Sequence, residues 1–116
     1  MTVPGSVGVL GGGRMGAGIA HAFLLAGARV HIVERDDDAA AAAQERVLSA
    51  VARSVARGQL ADAAEVGSAL SVGTDLAAFR SSGLVIEAVP EDPDLKAGAL
   101  VRIEAAAPDA VIATNT

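Results

Sequence analysis

Apolar positions along the chain follow two periods in alternation. Val7-Gly8-Val9-Leu10 is a short unbroken run of strand length, and the segment from about Arg14 to Ala26 after it places Ile19, Phe23 and Leu24 on one helical face. Gly27 predicts the helix stop, and Ala28 to Val33 is rich in the β-branched residues a strand favours. Asp36 to Asp38 offer caps and negative charge for a second helix, and Ala39 to Ala43 carry high helix propensity. Leu48, Val51 and Val55 then fall on one side and Arg46, Arg53 and Arg57 on the other, predicting an amphipathic helix that ends near Gly58. Gln59 to Ala69 reads as a short helical piece capped by Asp62, leading to Leu70-Ser71-Val72-Gly73. The rest predicts a turn of helix from Thr74-Asp75 through Phe79, a loop at Ser81-Ser82-Gly83 and a buried strand at Leu84-Val85-Ile86. A helix opened by Pro93 and Asp94 runs to about Ala107, and a last strand covers Ala110 to Ala113. Strands alternating with helices in this way predict an α/β fold with a doubly wound, mostly parallel sheet, the Rossmann fold. At 116 residues it should be a single domain, 1–116, too short for a second, substrate-binding domain.

The first strand–helix junction carries the chemistry. In Gly11-x-Gly13-x-x-Gly16, the first glycine permits a tight turn, the second lets backbone approach a pyrophosphate, and the third lets the helix pack on the strand. The helix then aims its free N–H groups and the positive end of its dipole at the phosphates. Such a motif alone is weak; the strand before it, the helix after it and the acid Glu34 closing the second strand make it strong. A carboxylate at Glu34 accepts from an adenosine ribose diol and repels a 2′-phosphate, which predicts NAD over NADP. Arg35 beside it either stacks on the adenine or compensates a phosphate. Glu87, charged at the end of a buried strand, makes either a structural hydrogen bond or a ligand contact. The basic stripe on the second helix is either a solvated face or a docking strip for a phosphorylated substrate arm. His21 faces away from the sheet, at a surface or interface, and His31 packs at a sheet edge or surface. A single imidazole without a partner is not a site, so no catalytic residue is assigned.

Composition narrows the remaining classes. No apolar run approaches the roughly 18 residues of a membrane span, and Met1 to Ser6 does not open a signal peptide. The chain has no cysteine, which excludes disulfides and thiolate metal sites and fits a reducing cytoplasm. A net charge of −5, with two Phe and neither Trp nor Tyr, argues against nucleic acid as a partner.

The Gly11-Gly12-Gly13-Arg14-Met15-Gly16-Ala17-Gly18-Ile19-Ala20 stretch, Ile86-Glu87-Ala88-Val89-Pro90-Glu91, Lys96 and the closing Ala113-Thr114-Asn115-Thr116 together resemble the NAD-binding domain of the 3-hydroxyacyl-CoA dehydrogenases. The resemblance covers the chain from Val7 onward. It implies that Gly11, Gly12, Gly13, Arg14, Met15 and Gly16 carry the pyrophosphate, that Glu34 takes the ribose, and that Ala88 and Val89 line the nicotinamide side. It also implies that Glu91, Lys96 and Asn115 lie at the cofactor, and that Arg57 meets the CoA of an acyl-thioester substrate. In the family a substrate-binding serine and a catalytic histidine paired with a glutamate follow the Asn-Thr pair. The resemblance therefore implies that this chain is an N-terminal fragment supplying cofactor binding and no acid/base, inactive alone, from a parent that is a homodimer through its missing helical domain. Truncation should leave apolar surface on one side of the sheet. Pro90 and Pro93, which flank Glu91-Asp92, resemble relatives that oxidise carrier-protein-bound hydroxyacyl groups when making polyketide extender units. Two other readings stand beside this one: a non-catalytic NAD(H)-binding module, and a 6-phosphogluconate-type oxidoreductase, which would favour a basic group over Glu34.

Overall fold

The computed structural model describes residues 5–58 and 62–114, so Asn115 and the stretch 59–61 of the expected short helix lie outside the described residues. The elements run β1 (Ser6–Leu10), α1 (Arg14–Leu25), β2 (Arg29–Val33), α2 (Asp37–Ala56), α3 (Ala63–Ser68), β3 (Leu70–Gly73), a 3-10 turn (Leu76–Ser81), β4 (Leu84–Glu87), α4 (Pro93–Ala106) and β5 (Val111–Thr114). Local chemistry sets their ends. Gly27 takes φ +93° just past α1, and Asp36, Asp62, Asp75 and Asp92 each accept a backbone N–H at the start of the turn that follows.

The strands form one sheet in the order β3-β2-β1-β4-β5, parallel at every pairing. The chain winds outward from β1 to β3, then returns past β1 to build β4 and β5 on the other side. The connections leaving β1 and β4 therefore diverge, opening a crevice at the carboxyl ends of these two neighbouring strands. Two apolar layers hold the sheet. Val7, Val9, Val30, Ile32 and Ile86 pack with Ala17, Ala20 and Leu24 of α1 and Ala43, Val47 and Val51 of α2. Leu10, Val33 and Val85 pack on the opposite face with Phe79, Ala99, Ile103 and Ala107. The Phe79 ring occupies the space where a side chain on Gly8 would stand.

Three expectations change. Val47, not Leu48, lies in the buried stripe of α2, which runs Ala40, Ala43, Val47, Val51, Ser54 because the helix packs on the sheet and on α1 together. Leu48 is turned out, against Gly67 of α3. Leu70–Gly73 forms a strand beside β2, so β2 is interior and His31 is not at a sheet edge. Its ring is half-buried, with Nδ1 enclosed and no hydrogen bond to it among the described residues.

Candidate functional site

At the carboxyl end of β1, Gly11 takes φ +102°, a left-handed conformation that a side chain resists, and a Cβ there would stand 2.6 Å from the Ala88 carbonyl oxygen. The turn is thus pressed against the chain leaving β4. A side chain on Gly16 would collide with the Gly11 carbonyl, which is the close helix–strand approach the spacing implies. Gly13 differs: it is exposed, and no heavy atom lies within 4 Å of where its Cβ would be. That open space above the backbone is what a pyrophosphate needs. Unlike the other α-helices, α1 has no side chain capping its N-terminus and no acid in its first turn, so among the described residues no side chain claims its leading N–H groups.

Gly12 is held from three directions. Its N–H donates to Glu34 Oε2 at 2.7 Å, its carbonyl accepts from Arg46 Nη1 at 2.9 Å, and a Cβ on it would collide with Ala43 of α2. Glu34 Oε1 also accepts from the Arg35 N–H at 3.1 Å. Each carboxylate oxygen retains acceptor capacity for a hydroxyl in the crevice.

The crevice is a cleft of about 640 Å³. Gly11, Gly13, Arg14 and Met15 form its floor, Glu34 and Arg35 one end, and Ala88, Val89, Pro90 and Glu91 the other. Thr74 and Leu76 beyond β3, with Leu95 and Arg102 on α4, complete the wall. None of these last four was singled out from sequence, since nothing local marks them; their place follows from β3 and α4 flanking the crevice. Arg35 is exposed, its Nε 3.5 Å from Asp36 Oδ2.

Glu87 is fully buried and structural. It accepts from the Val89 N–H at 2.7 Å and pairs with Lys96 Nζ at 3.2 and 3.3 Å, so it pins the strand-to-loop turn that presents Ala88 and Val89. Lys96 does not line the cleft; its ammonium is turned to Glu87 and lies 3.6 Å from Glu91, which is exposed at the cleft mouth.

A second groove, about 750 Å³, lies between α1 and α2. Arg14, Arg46, Arg53 and Arg57 line it with Glu45 and His21. The basic stripe therefore faces a groove, one wall of which is α1. His21 Nε2 and the buried Ser54 Oγ share a hydrogen bond of 2.8 Å, so His21 is an interface residue between the helices. Burial holds its imidazole below the usual histidine range, and Arg53 and Arg57 push it further down. Neither His21 nor His31 lines the cleft.

The family described as "3-hydroxyacyl-CoA dehydrogenase, NAD binding domain" matches residues 6–116. The chain belongs to this family. It is 34% identical over 114 residues to a 3-hydroxybutyryl-CoA dehydrogenase of Mycobacterium tuberculosis, covering 95% of this chain and 40% of that protein. It is 38% identical over 122 residues to the fatty acid oxidation complex subunit alpha of Vibrio vulnificus, covering 97% of this chain and 16% of that one. The crystal structure of (S)-3-hydroxybutyryl-CoA dehydrogenase PaaH1 from Ralstonia eutropha superposes with a TM-score of 0.89 at 31% identity, over 98% of this chain and 41% of that one. The chain thus spans well under half the length of these relatives. As an NAD-binding domain of the 3-hydroxyacyl-CoA dehydrogenases, it takes NAD as its cofactor, and the geometry fits: an uncovered glycine turn, an uncapped helix N-terminus and a carboxylate at the end of β2 meet in one cleft. Among the described residues no helix is long and apolar enough to cross a membrane.

Proposed function

We propose that this chain, residues 1–116, is the cofactor half of an NAD-dependent dehydrogenase that interconverts 3-hydroxyacyl and 3-oxoacyl thioesters. One observation carries the reading: the cleft at the β1–β4 crevice joins the glycine turn, Glu34 and the Ala88–Val89 loop, in a chain of this family. Gly11 to Gly16 take the pyrophosphate on backbone N–H groups, Glu34 takes the adenosine ribose, and Arg35 covers the adenine. Ala88 and Val89 bound the nicotinamide end, where Glu91 stands at the cleft mouth, and Lys96 acts from behind by holding Glu87 and with it the Ala88–Val89 turn. Bound NAD supplies the hydride acceptor. The acid/base comes from outside this chain, as supported by both histidines lying away from the cleft. Arg57, in the basic groove, meets the phosphates of the thioester arm.

The arm belongs to CoA or to a carrier protein. The relatives' names support CoA, and Pro90 in the β4–α4 loop with Pro93 at the start of α4 supports the carrier. The absence of cysteine supports a reducing cytoplasm as the compartment, and a homodimer of the parent is expected through its second domain. The test is reduction of acetoacetyl-CoA and of its carrier-bound counterpart with NADH, by this chain alone and by the full-length parent. The parent should turn over one of the two, and the isolated chain neither. Turnover by the isolated chain would refute the division of labour; inactivity of the parent on both would refute the substrate class.

A further inference from the structure

Arg46 stands apart from the other basic residues of α2. Its guanidinium reaches the Gly12 carbonyl at 2.9 Å, across 34 positions of sequence, and does not line the cofactor cleft. The Gly12 carbonyl and the Gly13 N–H belong to one peptide unit, and no peptide bond among the described residues is cis. In a planar trans unit the two point in opposite directions. Holding the carbonyl toward α2 therefore turns the Gly13 N–H away from α2 and toward the cleft that Gly13 lines. No acceptor among the described residues meets that N–H. The preceding unit is fixed from the other side, since the Gly12 N–H is held by Glu34 at 2.7 Å. Glycine has the greatest backbone freedom, and three stand in succession here, so without these two side chains the turn has many orientations to lose on binding a ligand.

We propose that Arg46 is a positioning residue of the dinucleotide site: it holds the Gly12 carbonyl so that the Gly13 N–H is aimed at the pyrophosphate before the cofactor arrives. This rests on the NAD-binding reading above. Because the guanidinium also borders the α1–α2 groove, the clamp lies between the two cavities without touching the cofactor.

The test compares the chain with Arg46→Met, which keeps the stem and removes the donors, and Arg46→Lys, which keeps charge and a donor. Each is titrated with NADH by nicotinamide fluorescence, and the Gly13 amide is followed by NMR during the titration. Wild type should bind; Arg46→Met should bind about tenfold more weakly, with its melting temperature little changed and the Gly13 amide resonance moved in the free protein. Arg46→Lys should recover most of the affinity and the wild-type Gly13 resonance. If Arg46→Met does not fold, the lysine variant carries the test: affinity and the Gly13 resonance that stay wild type together, or depart together, support the clamp, and a folded lysine variant in which one departs without the other overturns it. An Arg46→Met chain that melts lower yet binds NADH as wild type does also overturns it, because Arg46 is then only a brace between helix and turn. A wild-type chain that binds no NADH fails earlier and removes the NAD-binding reading itself.

Discussion

A methyl group added at Gly13 and one added at Gly16 should have opposite consequences. At Gly16 it meets the Gly11 carbonyl, so Gly16→Ala must displace α1 from β1 and should cost about 1–3 kcal/mol of stability, read as a lowered denaturant midpoint. At Gly13 it meets nothing, so Gly13→Ala should cost less than about 1 kcal/mol, the usual range for a helix N-cap exchange. It should instead lose NADH affinity by covering the exposed turn; retained affinity would show that the phosphates do not lie there. The tight turn at Gly11 and the close helix–strand approach at Gly16 were legible in the sequence because strand, turn and helix are contiguous and spacing alone sets the geometry. Gly12 was not separable from its neighbours by the same means. What holds it, Ala43, Glu34 and Arg46, arrives from β2 and α2, and only the packing of those elements brings them to the turn. Glu87 stayed undecided in the sequence for the same reason. A charged residue ending a buried strand is compatible with a ligand or a partner, and the partner, Lys96, is on the next helix.

Between elements, that pair and the helix–helix seam make further predictions. Lys96→Met strands the fully buried Glu87 carboxylate and should destabilise the chain on the order of 3 kcal/mol. Glu87→Gln together with Lys96→Met should recover part of the loss in a denaturant titration, and no recovery would mean that Lys96 acts through other contacts. At the α1–α2 seam, His21 is held below its unfolded value of 6.5 by burial and by Arg53 and Arg57. On acidification the unfolded chain takes up a proton there before the folded chain does. Stability contributed by neutral His21 is therefore present above the unfolded value and falls as the pH drops through it, levelling off once the folded imidazole also protonates. His21→Gln should flatten the fall in urea midpoint between about pH 7.5 and 5.5; an unchanged slope would place the linked proton elsewhere. The helices themselves were legible, since their caps and periodicity are local, whereas β3 was not. Leu70–Gly73 is short and carries an exposed Ser71, and it becomes a strand only because β2 offers it a parallel edge. The slip from Val47 to Leu48 has a similar origin. One helical face was inferred where α2 packs on the sheet and on α1 together.

For the molecule as a whole, the parallel order β3-β2-β1-β4-β5 converts these local features into a site. It puts the carboxyl ends of β1 and β4 side by side, and the turn, Glu34 and the Ala88–Val89 loop face one cleft from three separate stretches of chain. The fold class was readable from alternating periodicity, and the cofactor from one motif and one acid. The walls of the cleft at Thr74, Leu76, Leu95 and Arg102 were not, because they depend on where β3 and α4 lie in space. Around this cleft Met15 and Leu95 are exposed, an apolar surface of the kind that ligand clefts present. The central claim is that the cleft is an NAD site whose selectivity is set by Glu34. A paired titration of the 116-residue chain with NADH and NADPH, followed by nicotinamide fluorescence in a protein without tryptophan, tests it most directly. The account predicts NADH binding at least about tenfold tighter than NADPH, since a 2′-phosphate must meet the Glu34 carboxylate. Equal binding of the two would contradict it and shift recognition to Arg35.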